Sequence, residues 1–548
     1  MSSFLTPGVY TEEVPTLPPS VANVSTAIPA FIGYTEKSVK EGKSVANQAV
    51  RISTLLEYKE LFGTAQPATF TVVVNDQDDV ENVTVASPQH TLSHAIDLYF
   101  KNGGGDCYII SIGTHAEVQS KEAFLTGLEA LSKEDEPTLI MLGEATKLPE
   151  NDYYEVCVAA LTQCADLQDR FFILDVQNDD VEAFRNGIGI SNLKYGAAYT
   201  PYLHTSLSYH YDENGVTIAG ASAIDSWELA YDDLITVTYA GTGSPNPKLK
   251  IIQGGESTLS FSISQGVLTI TGVAPSDGTV VSEVIAAWND AISAGFDSEG
   301  FNIQPLNTTG MLTSSGSQTH NLTQVSTGAT ETLAGIKGTK SALYSKVVSE
   351  LTKEKMALPP SAAVAGAYAT TDRERGVWKA PANVSLNGVI APTIKITSAD
   401  QESLNVDPNA GKSINAIRGF IGKGTLVWGA RTLAGNDNEW RYVSVRRLFN
   451  MIEESTKKAT YFAVFESNDA VTWLKVKAMI ESYLYGLWQQ GGLTGATEEQ
   501  AYFVNIGLGK TMTQQDVLEG RMIVEIGLAA TRPAEFIILR FSHKLQEA

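Results

Sequence analysis

The chain has 548 residues, 43% of them hydrophobic and 18% charged, the balance of a globular protein long enough for two to four domains. Its formal charge of −23 falls entirely in residues 1–400, because 401–548 carries 16 Lys+Arg against 16 Asp+Glu; so acidic a surface argues against nucleic acid as a partner, since phosphate contact needs concentrated Lys and Arg. No run approaches ~18 consecutive apolar residues, and MSSFLTPGVY lacks the basic start and apolar stretch of an export signal, so assembly in the cytoplasm without direct membrane insertion is expected.

In chain order, the first strand-like element is TPGVYTEEV, where Pro7, Gly8, Val9, Tyr10, Thr11, Glu12, Glu13 and Val14 form an extended stretch with no nearby partner. PAFIGYT, DCYIISIG, PTLIMLG and RFFILDV follow as short, nearly continuous apolar runs, the pattern of strands covered on both faces. Helical stretches such as SPQHTLSHAIDLYFKNGG and YYEVCVAALTQCADLQD lie between several of them, and the alternation predicts an α/β core. Cys107, Cys157 and Cys164 are an odd set without CxxC spacing, in apolar or helical surroundings; buried thiols are expected rather than a disulfide framework or zinc site.

A compositional boundary follows. No arginine occurs between Arg185 and Arg373, and residues 201–340 are rich in Ser, Thr, Gly and Asn, with 13 acidic residues against 4 basic. LITVTYAG, LKIIQ, TLSFSIS and VLTITGV read as strands separated by the turn sequences GSPNP, QGGES and APSDG, with one helix in VVSEVIAAWNDAIS. These predict an inserted, mostly β, acidic and outward-facing domain over 200–345, set between a core part at 21–199 and a C-terminal α+β domain at 346–530. The predicted fold class is thus α/β and α+β multidomain, with a mixed sheet core.

Beyond the insert, YSKVVSELTKEKM reads as a helix, and SVRRLFNMIEESTKKA places Val445, Leu448, Ile452 and Ala459 near one stripe. Asn468 or Asp469 can cap a further helix in which Trp473, Val476, Ile480, Tyr483, Leu484 and Leu487 recur until Gly491 and Gly492 stop it, with Lys475 and Glu481 on the opposite face. AYFVNIG, RMIVEIGLA and FIILRFS supply strands, with Met522, Val524, Ile526 and Leu528 on one side of the middle one. After Glu535 the last run alternates: Ile537, Leu539, Phe541, His543 and Leu545 share one face, and Phe536, Ile538, Arg540, Ser542 and Lys544 the other. Ten extended residues reach roughly 33 Å, enough to join a sheet on another subunit. The two ends, 1–20 and 531–548, therefore read as extended arms that find hydrogen bonds either within their own chain or on neighbouring copies.

Catalytic motifs fail one by one. NIGLGKT would need glycine at Val504 to be a phosphate loop, so Gly507 and Gly509 read as a strand end and turn. His90 and His94 have i, i+4 spacing, but Thr91 stands where a zinc protease needs Glu, and a surface or capping role is expected. No serine lies in GxSxG, and Gly103 to Gly105 read as a structural turn. No catalytic residue, cofactor or metal is expected.

The ends and the C-terminal half carry a resemblance. TPGVYTEEV, STAIPAFIGYT and YFKNGGGDCYII, then AVAGAYATTDRERGVWKAPAN, RRLFNMIEESTKKATYFAVFESND, GLTGATEEQAYFVNIG and TRPAEFIILRF, resemble contractile tail sheath motifs of phages and phage-tail-like injection systems, in the family's order. They cover most of 1–195 and 345–548. The resemblance implies a non-enzymatic subunit that polymerises as six-fold rings or a six-start helix around an inner tube protein. Baseplate and terminator or cap proteins are the other implied partners, and contraction from a metastable extended state would drive the tube into a target envelope. The assembly would belong to a phage tail or an injection particle.

On that reading the functional residues are interfaces. The arms, Pro7 to Val14 and Glu535 to Leu545, would add as strands to neighbouring subunits, and Lys475 with Lys477 would form a releasable contact with the tube. Arg373 and Arg375 would make inter-subunit ion pairs or else shape a rigid turn; Arg446 and Arg447 would pair with Glu453 and Glu454 locally or with a neighbour. Two other classes remain open from the residues: a hydrolase with an appended carbohydrate-binding β domain, and a monomeric adhesin.

Overall fold

The four apolar runs become adjacent strands of one sheet. The computed structural model describes residues 21–75, 77–220, 226–240, 246–254, 258–274, 278–313, 319–325, 331–407, 409 and 411–539. They form two units, one from residues up to 66, 88–210 and 355 onward, the other from 67–87 and 211–354.

The main elements of the first unit are, in order, β1 (Pro29–Thr35), β2 (Ala49–Ile52), α1 (Leu92–Lys101), β3 (Cys107–Thr114), β4 (Leu139–Met141), α2 (Glu150–Leu167), β5 (Phe171–Asp175), β6 (Gly196–Thr200), α3 (Ser361–Arg375), β7 (Ile414–Phe420), β8 (Gly424–Val427), α4 (Val443–Ala459), α5 (Ala470–Gln489), β9 (Tyr502–Ile506) and β10 (Val524–Leu528). Nine strands make its large sheet, in the order Val384–Ser385, β8, β7, β6, β5, β4, β1, β3, β2. From β7 through β3 every neighbouring pair is parallel; β2 and β8 add antiparallel to the two sides. A parallel sheet of this kind needs cover on both faces, which is why its strands lack polar alternation.

Ile109, Phe31, Met141, Ile173 and Ala197 stand in register across β3, β1, β4, β5 and β6, forming one buried row. That face packs on α1 and α3, whose small residues Ala362 to Gly366 allow close approach; a Cβ on Gly366 would sit 2.7 Å from the carbonyl oxygen of Tyr99. Ile110, Ile32, Ile140 and Phe172 point to the opposite face, toward Phe124 and Leu128 and toward Tyr153, Cys157, Leu161 and Cys164 of α2. All three cysteines are buried free thiols.

The C-terminal part of this unit has a separate core in which Leu448 and Ile452 of α4 meet Val476, Ile480, Leu484 and Leu487 of α5 and Tyr502 and Val504 of β9. Asp469 caps α5, its carboxylate accepting from the backbone N–H groups of Val471 and Thr472 at 3.0 Å each. Gly491, at φ +84°, turns the chain away after the helix.

The second unit is mostly β. Val80–Ala86, Ala68–Val74, Tyr211–Gly220 and Glu331–Thr332 form one four-stranded sheet; Phe301–Pro305, Ile235–Tyr239, Ser226–Tyr231 and Thr323–Val325 form another; Ser260–Ser264, Val267–Val273, Lys248–Gln253 and Thr319–Asn321 form a third. The last two sheets share a core with helix Val281–Ser293, centred on Trp288, Val237, Ile251 and Ile270. No described helix is long and apolar enough to cross a membrane.

Candidate functional site

β9 and β10 pair antiparallel from Tyr502–Leu528 to Ile506–Val524, and among the described residues no third strand joins them. The hairpin keeps open edges. Met522, Val524, Ile526 and Leu528, which the sequence puts on one side, line a groove of about 900 Å³ with Phe449 and Ile452 of α4 and Val476 and Ile480 of α5. Val464 and Phe465 stand at its rim. Phe465 has φ +68° and is fully exposed, an unusual conformation for an aromatic residue with no apparent role in the subunit's own core.

The C-terminal run leaves the body at a fixed point. Glu535 faces the guanidinium of Arg431, with Nη2 to Oε2 at 2.6 Å and Nε to Oε1 at 2.9 Å, and also accepts from Asn405 Nδ2 at 2.8 Å and Tyr442 OH at 3.2 Å. Burial raises the Glu535 carboxyl, but the bonds from Arg431 and Asn405 outweigh it and hold the group below the usual carboxylate range. Directly beyond, Phe536, Ile537, Ile538 and Leu539 are 70%, 80%, 78% and 72% exposed. FIILRFS reads as a strand, yet Phe536 to Leu539 make no ladder in the isolated chain. Among the described residues these four consecutive exposed apolar residues are in no strand. Arg540, Phe541, Ser542, His543, Lys544 and Leu545 of the C-terminal arm, and Pro7 to Val14 of the N-terminal arm, lie outside the described residues.

The chain that follows the N-terminal arm is held firmly. Thr26 Oγ1 donates to Asp372 Oδ2 at 2.5 Å, Arg447 Nη2 donates to the Thr26 carbonyl at 2.8 Å, Ser455 Oγ accepts from Val24 N–H at 3.1 Å, and Tyr483 OH donates to Asn23 Oδ1 at 2.9 Å.

The arginines separate into two groups. Arg446 and Arg447 are buried and matched within the chain. Arg446 meets Glu453 at 2.9 Å, and its guanidinium lies 4.2 Å from the Trp440 ring centroid. Arg447 pairs with Asp372 at 2.5 Å, over the Tyr368 ring, rather than with Glu454, which takes Lys457 and Lys458 instead. The local alternative therefore describes Arg446. For Arg447 the partner is local in space but 75 residues away, a correction that helix spacing could not supply. Arg373 and Arg375, at the end of α3, are exposed, and Arg373 donates to the Gly103 carbonyl at 3.1 Å.

On α5, Lys475 is exposed and Lys477 is partly covered, 3.4 Å from Glu481. Val471 and Leu474, 62% and 68% exposed, lie beside Lys475 on the helix surface. The outward face is therefore mixed, apolar as well as basic.

The rejected chemical motifs have structural duties. Gly507 follows β9 directly, and Gly509 turns at φ +76°. His90 and His94 are buried, not at the surface as the sequence suggests, because an internal carboxylate recruits one of them. Glu144 Oε1 lies 3.2 Å from His90 Nδ1 and accepts from Thr91 N–H, while Oε2 accepts from Tyr34 N–H at 2.7 Å. Burial pushes the Glu144 carboxyl up, opposed by His90 and these amides; desolvation pushes His94 down to about 4. Sequence reasoning missed Asp372, Arg431 and Tyr442 as arm-root partners, since only long-range contacts distinguish them from surface polar residues.

Residues 305–433 match the phage tail sheath protein central domain, and residues 435–544 match the phage tail sheath C-terminal domain. The chain is 25% identical over 188 residues to the tail sheath protein of Vibrio phage KVP40, which covers 34% of this chain and 26% of that protein. It is 29% identical over 136 residues to the tail sheath protein of Enterobacteria phage T4, covering 25% and 20%. These matches span about a quarter or less of the curated relatives' length. Among solved structures, the contracted helical sheath of the anti-feeding prophage is 27% identical with TM-score 0.55, covering 99% of this chain and 100% of that one. The contracted sheath complex of the extracellular contractile injection system PVC is 28% identical with TM-score 0.54, covering 100% and 99%. Joined to an open-edged hairpin and an exposed apolar stretch, these likenesses lead to one conclusion: residues 305–433 and 435–544 are phage tail sheath domains, and the chain as a whole is similar to the sheaths of contractile injection systems.

Proposed function

We propose that this chain is a contractile sheath subunit that polymerises around an inner tube, with its two terminal arms acting as joints between copies. The observation that supports the joints most directly is the run Phe536 to Leu539, four apolar residues exposed immediately after an anchored Glu535. Such a segment is costly to leave in water and joins no strand among the described residues. The open β9–β10 hairpin offers both things it lacks, namely unpaired strand edges and an apolar groove. Strands donated by neighbours, one from Pro7 to Val14 and one from Glu535 to Leu545, would extend that sheet. Main-chain hydrogen bonds of this kind persist while the bodies rotate, so copies stay tied as the lattice changes shape.

The assembly on this reading is a stack of six-fold rings or a six-start helix that starts at a baseplate and ends at a terminator or cap protein. Its energy is stored in the extended lattice, whose subunits make poorer contacts than in the contracted one; a bias of a few kcal/mol per subunit, passed from ring to ring, drives the tube forward. The outward face of α5, with Lys475 and Lys477 next to Val471 and Leu474, is the proposed grip on the tube. Arg373 and Arg375, both exposed at the end of α3, are the proposed ion-pair donors to neighbours.

Truncation tests the joints. Removal of residues 1–14 or of 535–548 is expected to leave a folded monomer that forms no tubes visible by electron microscopy. Intact tubes from both truncations would refute the arm model.

A further inference from the structure

Both arm roots are fastened to the same helix. Tyr442, which precedes α4, donates to Glu535 at the root of the C-terminal arm. Arg447, on the second turn, holds the Thr26 carbonyl at the root of the N-terminal arm, and Ser455, two turns further on, accepts from Val24. At 1.5 Å per residue, the attachments at Tyr442 and Arg447 are about 7 Å apart along the helix, and those at Tyr442 and Ser455 about 20 Å. At both roots the fastening is a carboxylate on a nearly dehydrated guanidinium: the side chain of Arg431 is 5% exposed and that of Arg447 is 3% exposed.

The two clasps are built alike. Arg431 is itself fixed, since Nη1 donates to the Asn405 carbonyl at 2.9 Å and its backbone N–H donates to Asn415 Oδ1 at 2.8 Å. Arg447 is fixed by two bonds to Asp372, at 3.0 and 2.5 Å, and by the Tyr368 ring 4.6 Å away. In each case one guanidinium ties an arm root to an interior that cannot shift without losing several bonds. The difference is that Glu535 belongs to the arm root itself, whereas Asp372 sits on α3 and reaches the root through Thr26.

We propose that Arg431 and Arg447 are positioning residues that clasp the two arm roots to the body, Arg447 on α4 itself and Arg431 on the segment that bridges to Tyr442 just before it, so that a pull entering a subunit through one arm leaves through the other along this helix. The body then hinges at Glu535 and at Thr26, and the chain between the roots does not stretch. This inference rests on the reading of the arms as joints.

Glu535→Gln in the full chain is the test, because it keeps the size of the side chain and removes its charge. A nitroxide attached at position 537 reports the root, and electron microscopy of triggered particles, with the cognate tube and baseplate, reports the load path. Expected are a lower unfolding midpoint, because Arg431 loses its charge partner, with unfolding still cooperative, a more mobile label in the monomer, and at least a tenfold loss of contracted particles with unbroken sheaths. Glu535→Asp, which keeps the charge, is expected to restore a substantial part of that loss. Deletion of 536–548 is the control. If the deletion abolishes tubes while Glu535→Gln leaves label mobility and sheath integrity as in the parent, the clasp is overturned and the arm reading stands. If the deletion leaves tubes intact, the arm reading fails and this inference fails with it.

Discussion

Ile537→Asp puts the C-terminal joint to a quantitative test. Ile537 is 80% exposed in the isolated chain, and covering an aliphatic side chain of its size is worth about 1.5–3 kcal/mol, so the joint recovers roughly 2 kcal/mol at this position. A carboxylate in its place forfeits that gain and adds the cost of dehydrating a charge, which brings the loss to about 3 kcal/mol or more. At 1.4 kcal/mol per factor of ten, each joint weakens by more than 100-fold. The lowest concentration at which tubes form, measured by sedimentation and checked by electron microscopy, is expected to rise by at least that factor. The monomer's unfolding is expected not to change, because the side chain touches little of its own body. Ile538 is the internal comparison. In the strand read from the sequence it alternates with Phe536, Arg540, Ser542 and Lys544, whereas Ile537 alternates with Leu539, Phe541, His543 and Leu545, so Ile538→Asp is expected to shift the threshold less. Equal effects at the two positions would refute the two-faced strand; tube formation by Ile537→Asp at the parent concentration would refute the joint.

Reversing both lysines of the proposed grip, Lys475→Glu with Lys477→Glu, is expected to lower sheath attachment to tube several-fold at low salt and less at high salt, read by co-sedimentation; unchanged attachment removes them from the contact. Arg447→Ala leaves Asp372 buried without its charge partner and the Thr26 carbonyl without a donor, so a loss of about 3–5 kcal/mol is expected from denaturant unfolding of the monomer. Burial pushes the Asp175 carboxyl up to about 7, against the bonds it accepts from Ser361, so its protonated form is favoured in the folded chain. Stability from this group is complete below pH 4 and is lost as pH rises toward 7, and Asp175→Asn is expected to flatten that slope by roughly 3–5 kcal/mol between the two limits, measured by denaturant unfolding against pH.

What the sequence discloses is whatever repeats locally. The runs at Pro29, Cys107, Leu139 and Phe171 stand out as buried parallel strands because cover on both faces removes polar alternation. The stripe on α5 and its Asp469 cap are equally plain, since both rest on neighbours within five residues. Ala68–Val74 and Val80–Ala86 carry strand chemistry as well, but their membership in the second unit depends on Val216 to Gly220 pairing with Phe70 to Val74, some 146 residues earlier in the chain. No period in the sequence encodes such a pairing. The same holds for the site. Alternation after Glu535 reads as a strand in the sequence, whereas the clasp of Glu535 by Arg431, 104 residues away, is invisible until the chain folds. His90 shows the limit from the other side: a histidine among polar neighbours looks superficial until Glu144 closes over it.

As proposed joints, the arms must each be weak singly for such a lattice to work. Ordering a residue's backbone costs about 1–2 kcal/mol, so fixing the four from Phe536 to Leu539 costs about 4–8 kcal/mol. Covering their exposed side chains returns roughly 5–8 kcal/mol, and ladder hydrogen bonds add about 0.5–1.5 kcal/mol each. The balance for one arm on one neighbour is small, which keeps free monomers apart. In the proposed ring each copy would give two arms and could receive others, and once one joint had formed the next would be intramolecular and gain from effective concentration. Rooting the arm at Glu535 strengthens that gain, because a short tether from a fixed point confines the strand near its groove, whereas a free tail starting from the hairpin end would spread over a far larger volume. On the proposed reading, anchored roots and marginal tips would be complementary: the first would let a nucleus propagate, and the second would prevent one from forming without a baseplate.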